Sequence, residues 1–240
     1  MKTPLITAHA GCMNTQPNTT QSVLEGIKYG ANIIEVDVRG TSDGIPILIH
    51  DNCIKDLNNN NLKVEEITYK ELISAEKINN IVTLEEVLDL VIDYDIILNL
   101  DMKSFHAIEP MVKLVQNKKM VDRVILSGCK KQRALYMYKN YPEFRVLYNV
   151  DEDLFNSSNL NYEEVIKKTY DEAISMSCCG INIDYKFCKK ELIDFMHSRF
   201  MPVAIWTVDG GSEMEKYIKM NVYSITTNNV KLLVDLIKTV

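Results

Sequence analysis

Asn32-Ile33-Ile34-Glu35-Val36-Asp37-Val38 sets two carboxylates into an otherwise apolar run, and Ile45-Pro46-Ile47-Leu48-Ile49-His50-Asp51 ends a second such run in another polar pair. Runs this rich in Val and Ile read as β-strands. Side chains alternate along a strand, so Glu35 and Asp37 share one face. Burying an unpaired carboxylate costs several kcal/mol or forces it to take up a proton. A metal ion is the simplest partner for two acids on one strand face.

Between the runs lies Arg39-Gly40-Thr41-Ser42-Asp43-Gly44. Asp-Gly is a preferred centre for a two-residue hairpin turn. With Asp43-Gly44 as that turn, Ser42 faces Ile45 and, counting outward, Asp37 faces His50. Opposed residues of antiparallel strands share a face. Local rules therefore predict Glu35, Asp37, Arg39 and His50 on one surface.

Outward from this hairpin, short apolar strands alternate with amphipathic helices. Strands are predicted at 5–9, 32–38, 96–102, 124–127, 145–150, 180–184, 203–208 and 224–227. Helices are predicted at 20–29, 68–74, 83–92, 105–117, 130–140, 163–176, 189–198, 213–220 and 230–240. Thr83 is a plausible N-cap with acids close behind it, while 58–61 and 151–162 read as polar loops. Setting the hairpin arm aside, eight strands with helices between them describe a (β/α)8 TIM barrel, an α/β fold. A doubly wound open sheet is the competing architecture, but no Gly-rich dinucleotide or P-loop pattern is present. No internal repeat or linker divides the chain, so one barrel domain over 1–240 with a β-hairpin extension after the second strand is expected.

The 240 residues are 46% hydrophobic and 25% charged, ordinary for a globular enzyme. A net charge of −6 argues against nucleic acid as a partner, which would need a basic patch. It leaves room for a phosphorylated small molecule. The six cysteines lack zinc-site spacing and read as reduced thiols. With no signal-peptide pattern and no membrane-length apolar run, the expected location is cytoplasmic, without stable membrane insertion. Oligomeric state is not legible.

In a barrel, the carboxyl ends of the strands converge on one mouth. His9, Glu35, Asp37, Asp101, Lys103 and Trp206 fall at or near such ends. Three carboxylates suit one hard divalent cation, Mg2+ or Ca2+. His9 and His50 suit an acid–base pair near neutral pH. Lys103 shares a strand face with Asp101 and can meet a phosphate. Taken singly, each has a plainer reading: a strand-end Asp as a turn former, a His or Trp as core, a Lys as a solvated end. Together they read as phosphodiester cleavage.

The residues also carry a resemblance. Thr7-Ala8-His9-Ala10-Gly11, Asn18-Thr19, Ile34–Val38 and Asp43–Asp51 resemble the glycerophosphodiester phosphodiesterase family, as do Val82–Leu88, Leu98–Lys103 and Ala204–Val208. These segments run in the family's order along nearly the whole chain. The resemblance implies a TIM-barrel enzyme that hydrolyses glycerophosphodiesters to sn-glycerol 3-phosphate and an alcohol. It implies that Glu35, Asp37 and Asp101 bind the cation, that His9 and His50 carry acid–base catalysis, and that Lys103 contacts the phosphate. Three positions depart from the family pattern. Ala10 stands where an Arg usually follows the first His, Pro17 stands for the Glu of Glu-Asn-Thr, and the third acid is Asp101 rather than Glu. An Asp there also resembles related phospholipase D enzymes that form a cyclic product. Arg39 is the candidate to supply the cation that Ala10 lacks, and Trp206 to contact substrate. A lysophospholipase D-like enzyme and a non-catalytic phosphate-binding barrel remain as alternatives.

Overall fold

The computed structural model describes residues 3–56, 59–75, 81–156 and 160–239. Its strands follow from the alternation in the apolar runs. In β2 (Ile33–Gly40), Ile34, Val36 and Val38 point outward and are buried in the core, while Ile33, Glu35 and Asp37 line the lumen. In β6 (Ile97–Met102), Leu98, Leu100 and Met102 face the core and Ile97, Asn99 and Asp101 the lumen.

The other elements, in chain order, begin with β1 (Leu5–Ala8), α1 (Thr20–Lys28), β3 (Pro46–Leu48), β4 (Cys53–Lys55), β5 (Asn61–Lys63), α2 (Tyr69–Ala75) and α3 (Leu84–Leu90). After β6 come α4 (Ile108–Asn117), β7 (Val124–Cys129), α5 (Lys131–Asn140), β8 (Arg145–Asn149), α6 (Asp153–Asn156) and α7 (Tyr162–Ser175). The chain closes with β9 (Gly180–Asp184), α8 (Lys190–His197), β10 (Val203–Trp206), α9 (Gly211–Lys219), β11 (Ser224–Thr227) and α10 (Val230–Lys238).

Among the described residues, eight parallel strands pair in the order β1, β2, β6, β7, β8, β9, β10, β11, and β11 pairs back to β1. The fold is a closed (β/α)8 barrel in a single domain, as the alternation predicts. Outward strand residues and inward helix faces form one large apolar layer. Fully burying each Leu, Ile or Val there contributes roughly 1.5–3 kcal/mol. Thr83 caps α3 in a reciprocal capping box with Glu86. No described helix is long and apolar enough to cross a membrane, and all six cysteines are free thiols.

The hairpin register differs from the sequence expectation. The antiparallel pairs are Val38 with Leu48, Arg39 with Ile47 and Gly40 with Pro46. Ile49 N donates to Asp37 O at 3.0 Å, so Ile49, not His50, lies opposite Asp37. The turn explains the slip. Thr41 N bonds Ile45 O, and Gly44, at φ 77°, is the only glycine of a three-residue Ser42-Asp43-Gly44 loop. A two-residue turn would need positive φ at both Asp43 and Gly44. Asp43 instead accepts from the Thr41 hydroxyl at 2.6 Å and from Tyr69 N at 3.0 Å, stitching the turn to the start of α2.

The arm beyond β2 is also richer than a hairpin. β4 and β5 form a separate two-stranded sheet that the sequence reading did not anticipate. Of the loop expected at 58–61, Asn58 lies outside the described residues and Asn61 opens β5. Within 151–162, α6 interrupts the expected loop, and 157–159 lie outside the described residues. Ile47, Val64 and Leu72 make a second small core beneath the arm.

Candidate active site

The carboxyl ends of the barrel strands enclose a cavity of about 380 Å³. His9, Glu35, Asp37, His50, Asp101, Lys103 and Trp206 all line it. Parallel pairing sets Asp37 of β2 directly beside Asp101 of β6, and Glu35 lies two residues deeper. Glu35, Asp37 and Asp101 each offer an oxygen within 4.8 Å of the others.

Each acid is held differently. Glu35 Oε2 accepts from the Ala10 amide at 2.7 Å. Asn18 clamps Asp37 from both ends: its Nδ2 donates to Asp37 Oδ2 at 2.7 Å, and its Oδ1 accepts from the Asp37 amide at 2.9 Å. Lys103 Nζ bridges Asp37 Oδ1 at 2.9 Å and Asp101 Oδ2 at 2.7 Å. Burial raises the Glu35 pKa well above the usual glutamate range, and the Asp37 and Asp101 charges add to the rise. Burial opposes the charge on Lys103, but Asp101 and Asp37 outweigh it and its pKa is raised.

Asp101 Oδ1 is buried and has no hydrogen-bond partner among the described residues. Space beside it comes from a bulge in β7, where Gly128 takes φ 68°. A Cβ on residue 128 would lie 2.0 Å from that oxygen. An orphaned carboxylate oxygen, two further carboxylates and a local opening fit a hard cation that prefers oxygen ligands. These three residues could hold one.

The two histidines are both oriented through Nδ1. His9 Nδ1 lies 3.1 Å from Asn228 Oδ1, and Asn228 Nδ2 donates to Asp209 Oδ2 at 2.9 Å. Asp209 also accepts from the Asn228 amide at 2.7 Å and the Thr227 hydroxyl at 3.1 Å. A carboxylate only accepts, so the Asn228 amide nitrogen faces Asp209 and its oxygen faces His9. Neutral His9 therefore carries its proton on Nδ1 and leaves Nε2 free. His50 Nδ1 meets Asp51 Oδ1 at 2.8 Å, which leaves its Nε2 free by the same logic. The His50 side chain is 67% exposed.

Arg39 does not line the cavity. Its Nε donates to the His50 carbonyl at 3.0 Å, and its Nη1 pairs with Glu65 at 3.3 Å. The cations that do line it are Lys103, Lys130 and Arg133. Trp206 contributes to the wall, and its buried indole nitrogen has no hydrogen-bond partner among the described residues.

Asn18, Gly128, Lys130, Arg133, Asp209 and Asn228 join the site in the structure without a role predicted from sequence. Two signals were available. A glycine inside a strand run marks a bulge or close approach, and polar residues just beyond strand ends, as at 209 and 228, mark the barrel mouth. Lys130 and Arg133 fall in the helix predicted at 130–140, where no sequence signal marks them for the site.

A model of the glycerophosphoryl diester phosphodiesterase family matches residues 9–232. The chain is 26% identical to a glycerophosphodiester phosphodiesterase of Caldanaerobacter subterraneus subsp. tengcongensis, over 99% of each protein. It is 24% identical to a glycerophosphodiester phosphodiesterase of Bacillus altitudinis, over 93% of this chain and 94% of that one. Its fold matches an Oleispira antarctica phosphodiesterase solved in complex with the product sn-glycerol-3-phosphate, with TM-score 0.82, 18% identity and coverage of 98% and 97% of the two chains. A Thermotoga maritima glycerophosphodiester phosphodiesterase matches with TM-score 0.79 and 21% identity, over 98% and 99%. The barrel, its acidic mouth and the family match lead to one conclusion: the chain belongs to the glycerophosphoryl diester phosphodiesterase family, a family of phosphoric diester hydrolases.

Proposed function

We propose that this protein hydrolyses small glycerophosphodiesters to sn-glycerol 3-phosphate and an alcohol. The observation that carries this reading is the meeting of three carboxylates, one with an orphaned buried oxygen, and two Nδ1-tethered histidines in one cavity. A divalent cation held by Glu35, Asp37 and Asp101, either Mg2+ or Ca2+, would offset charge on the phosphoryl oxygens. Lys103 faces the same phosphate. In the hydrolytic step, a water oxygen bonds to phosphorus as the bond to the alcohol oxygen breaks. The free Nε2 of one histidine takes the water proton, and the other, protonated, returns a proton to the departing oxygen. Trp206 packs against the substrate.

The product bound to the Oleispira relative supports the same product class. The charged and amide-rich wall, including Lys103, Asn149 and Asn182, favours a small polar diester over the acyl chain of a lysophospholipid. The presence of both histidines and all three acids favours turnover over passive binding. Six free thiols favour a reducing compartment such as the cytoplasm.

The test is release of sn-glycerol 3-phosphate from glycerophosphocholine, with and without EDTA. Turnover should vanish in EDTA and return with Mg2+ or Ca2+. It should fall by about 10²–10⁴-fold in His9→Ala and in His50→Ala. EDTA-insensitive turnover, or a fully active His9→Ala, overturns the proposal.

A further inference from the structure

Among the described residues, Lys103, Lys130 and Arg133 line the cavity, and they differ in what already neutralises them. Lys103 is shared between Asp37 and Asp101. Lys130 pairs with Asp151 at 3.0 Å. Arg133, on the first turn of α5, has no carboxylate partner among the described residues. Its one hydrogen bond runs from Nη1 to the carbonyl of Met102 at 2.6 Å. Arg133 is half-buried, so solvent screens its charge only in part. Arg39, the cation that the sequence pattern favours, is already engaged by Glu65 and the His50 carbonyl.

We infer that Arg133 is the residue that grips the phosphate group of substrate and product. The inference rests on the phosphodiesterase reading above and adds to it a binding residue outside the acidic cluster. Met102 ends β6, one residue after Asp101, so its carbonyl ties the guanidinium to the strand end that carries that acid. A guanidinium has five N–H donors in a fixed fork, and the Met102 carbonyl takes one. The remaining edge suits two oxygens of one phosphate, a geometry that an ammonium cannot copy. A full positive charge without an anion, in the wall of a cavity built around phosphate chemistry, is complementary to that anion.

The discriminating variant is Arg133→Gln, which can still donate to the Met102 carbonyl but carries no charge. Arg133→Lys keeps the charge and loses the fork. Binding of sn-glycerol 3-phosphate, and separately of inorganic phosphate, is measured by calorimetry with Mg2+ present. KM and kcat are measured for glycerophosphocholine. In Arg133→Gln, affinity for both anions should fall about 10- to 100-fold. KM should rise by a similar factor with kcat changed far less, and Arg133→Lys should lie between. Wild-type anion affinity and KM in Arg133→Gln overturn the inference, even where the wild-type enzyme hydrolyses the diester. A wild-type protein that binds phosphate through Arg133 but cleaves no glycerophosphodiester overturns the functional proposal and leaves Arg133 as an anion site. Loss of binding in Arg133→Gln that comes with a collapsed melting transition counts as a structural role, against the inference.

Discussion

His9 and His50 face one cavity from two differently built regions. His9 follows β1 inside the closed barrel, its amide bonded to Thr227 O and its imidazole backed by Asn228 and Asp209. His50 sits two residues past β3, on an arm whose own buried core is Ile47, Val64 and Leu72. The barrel side is held by a continuous hydrogen-bonded cylinder over a large core. The arm is held by a short ladder, a small core and the tether from Arg39 to the His50 carbonyl. The difference teaches that one site can combine an acidic floor fixed in the barrel with a wall set by weaker, more exposed contacts. Regions with few buried contacts open at lower free energy than the rest of a fold.

Perturbing the floor should have the largest effect. In Asp101→Asn, activity should drop at least about 10²-fold, the order expected when a charge-stabilising group is removed from a reacting centre. The rise in melting temperature on adding Mg2+ or Ca2+ should also disappear, which thermal unfolding with and without cation can check. The pH dependence of that rise has a defined sign. Glu35 holds its proton more tightly than an ordinary glutamate because it is buried beside two acids. The cation-free folded protein therefore binds more protons than the unfolded chain just above the ordinary glutamate range, and it loses stability as pH rises through that window. A cation must displace the Glu35 proton, so its stabilising effect should shrink as pH falls. A cation-induced shift that persists in Asp101→Asn would mean that the floor is not where the ion binds.

Gly128→Ala should come next. It strains a backbone at φ 68° by roughly 1–2 kcal/mol and drives a Cβ toward Asp101 Oδ1. Cation affinity should fall more than global stability does, a split readable by calorimetry beside thermal melts. Equal, small losses in both would show that the bulge serves only the backbone.

The smallest effect is expected on the arm. Arg39→Ala and Glu65→Gln both loosen the tether that sets the His50 loop. Each should lower kcat/KM by about two- to fivefold, in keeping with the ~0.2–1 kcal/mol of a partly exposed ion pair. If Arg39 reached the phosphate directly, its loss would cost about 10²-fold and Glu65→Gln would raise substrate affinity by freeing it. The pair of variants therefore tells a tether from a ligand.

Much of this was legible in the sequence because it depends on local periodicity. The eight strands, the Thr83 cap and the common face of Glu35 and Asp37 all follow from residues near one another in the chain. The hairpin register was not legible, since two-residue and three-residue loops around Asp43-Gly44 differ by a single positive φ. The partner of Arg39 lies 26 residues away at Glu65, and that of His9 lies 219 residues away at Asn228. No local pattern encodes such pairs.

By itself, the sequence determined that two carboxylates would share one strand face, because a strand's period of two admits no other arrangement. Tertiary structure decided how those charges are accommodated. Asn18 clamps Asp37, Lys103 is split between two acids, and Gly128 leaves the opening at Asp101. Closing the cylinder brings side chains from distant segments within hydrogen-bond range. Electrostatics inside a partly buried mouth depends on those distances, not on order along the chain.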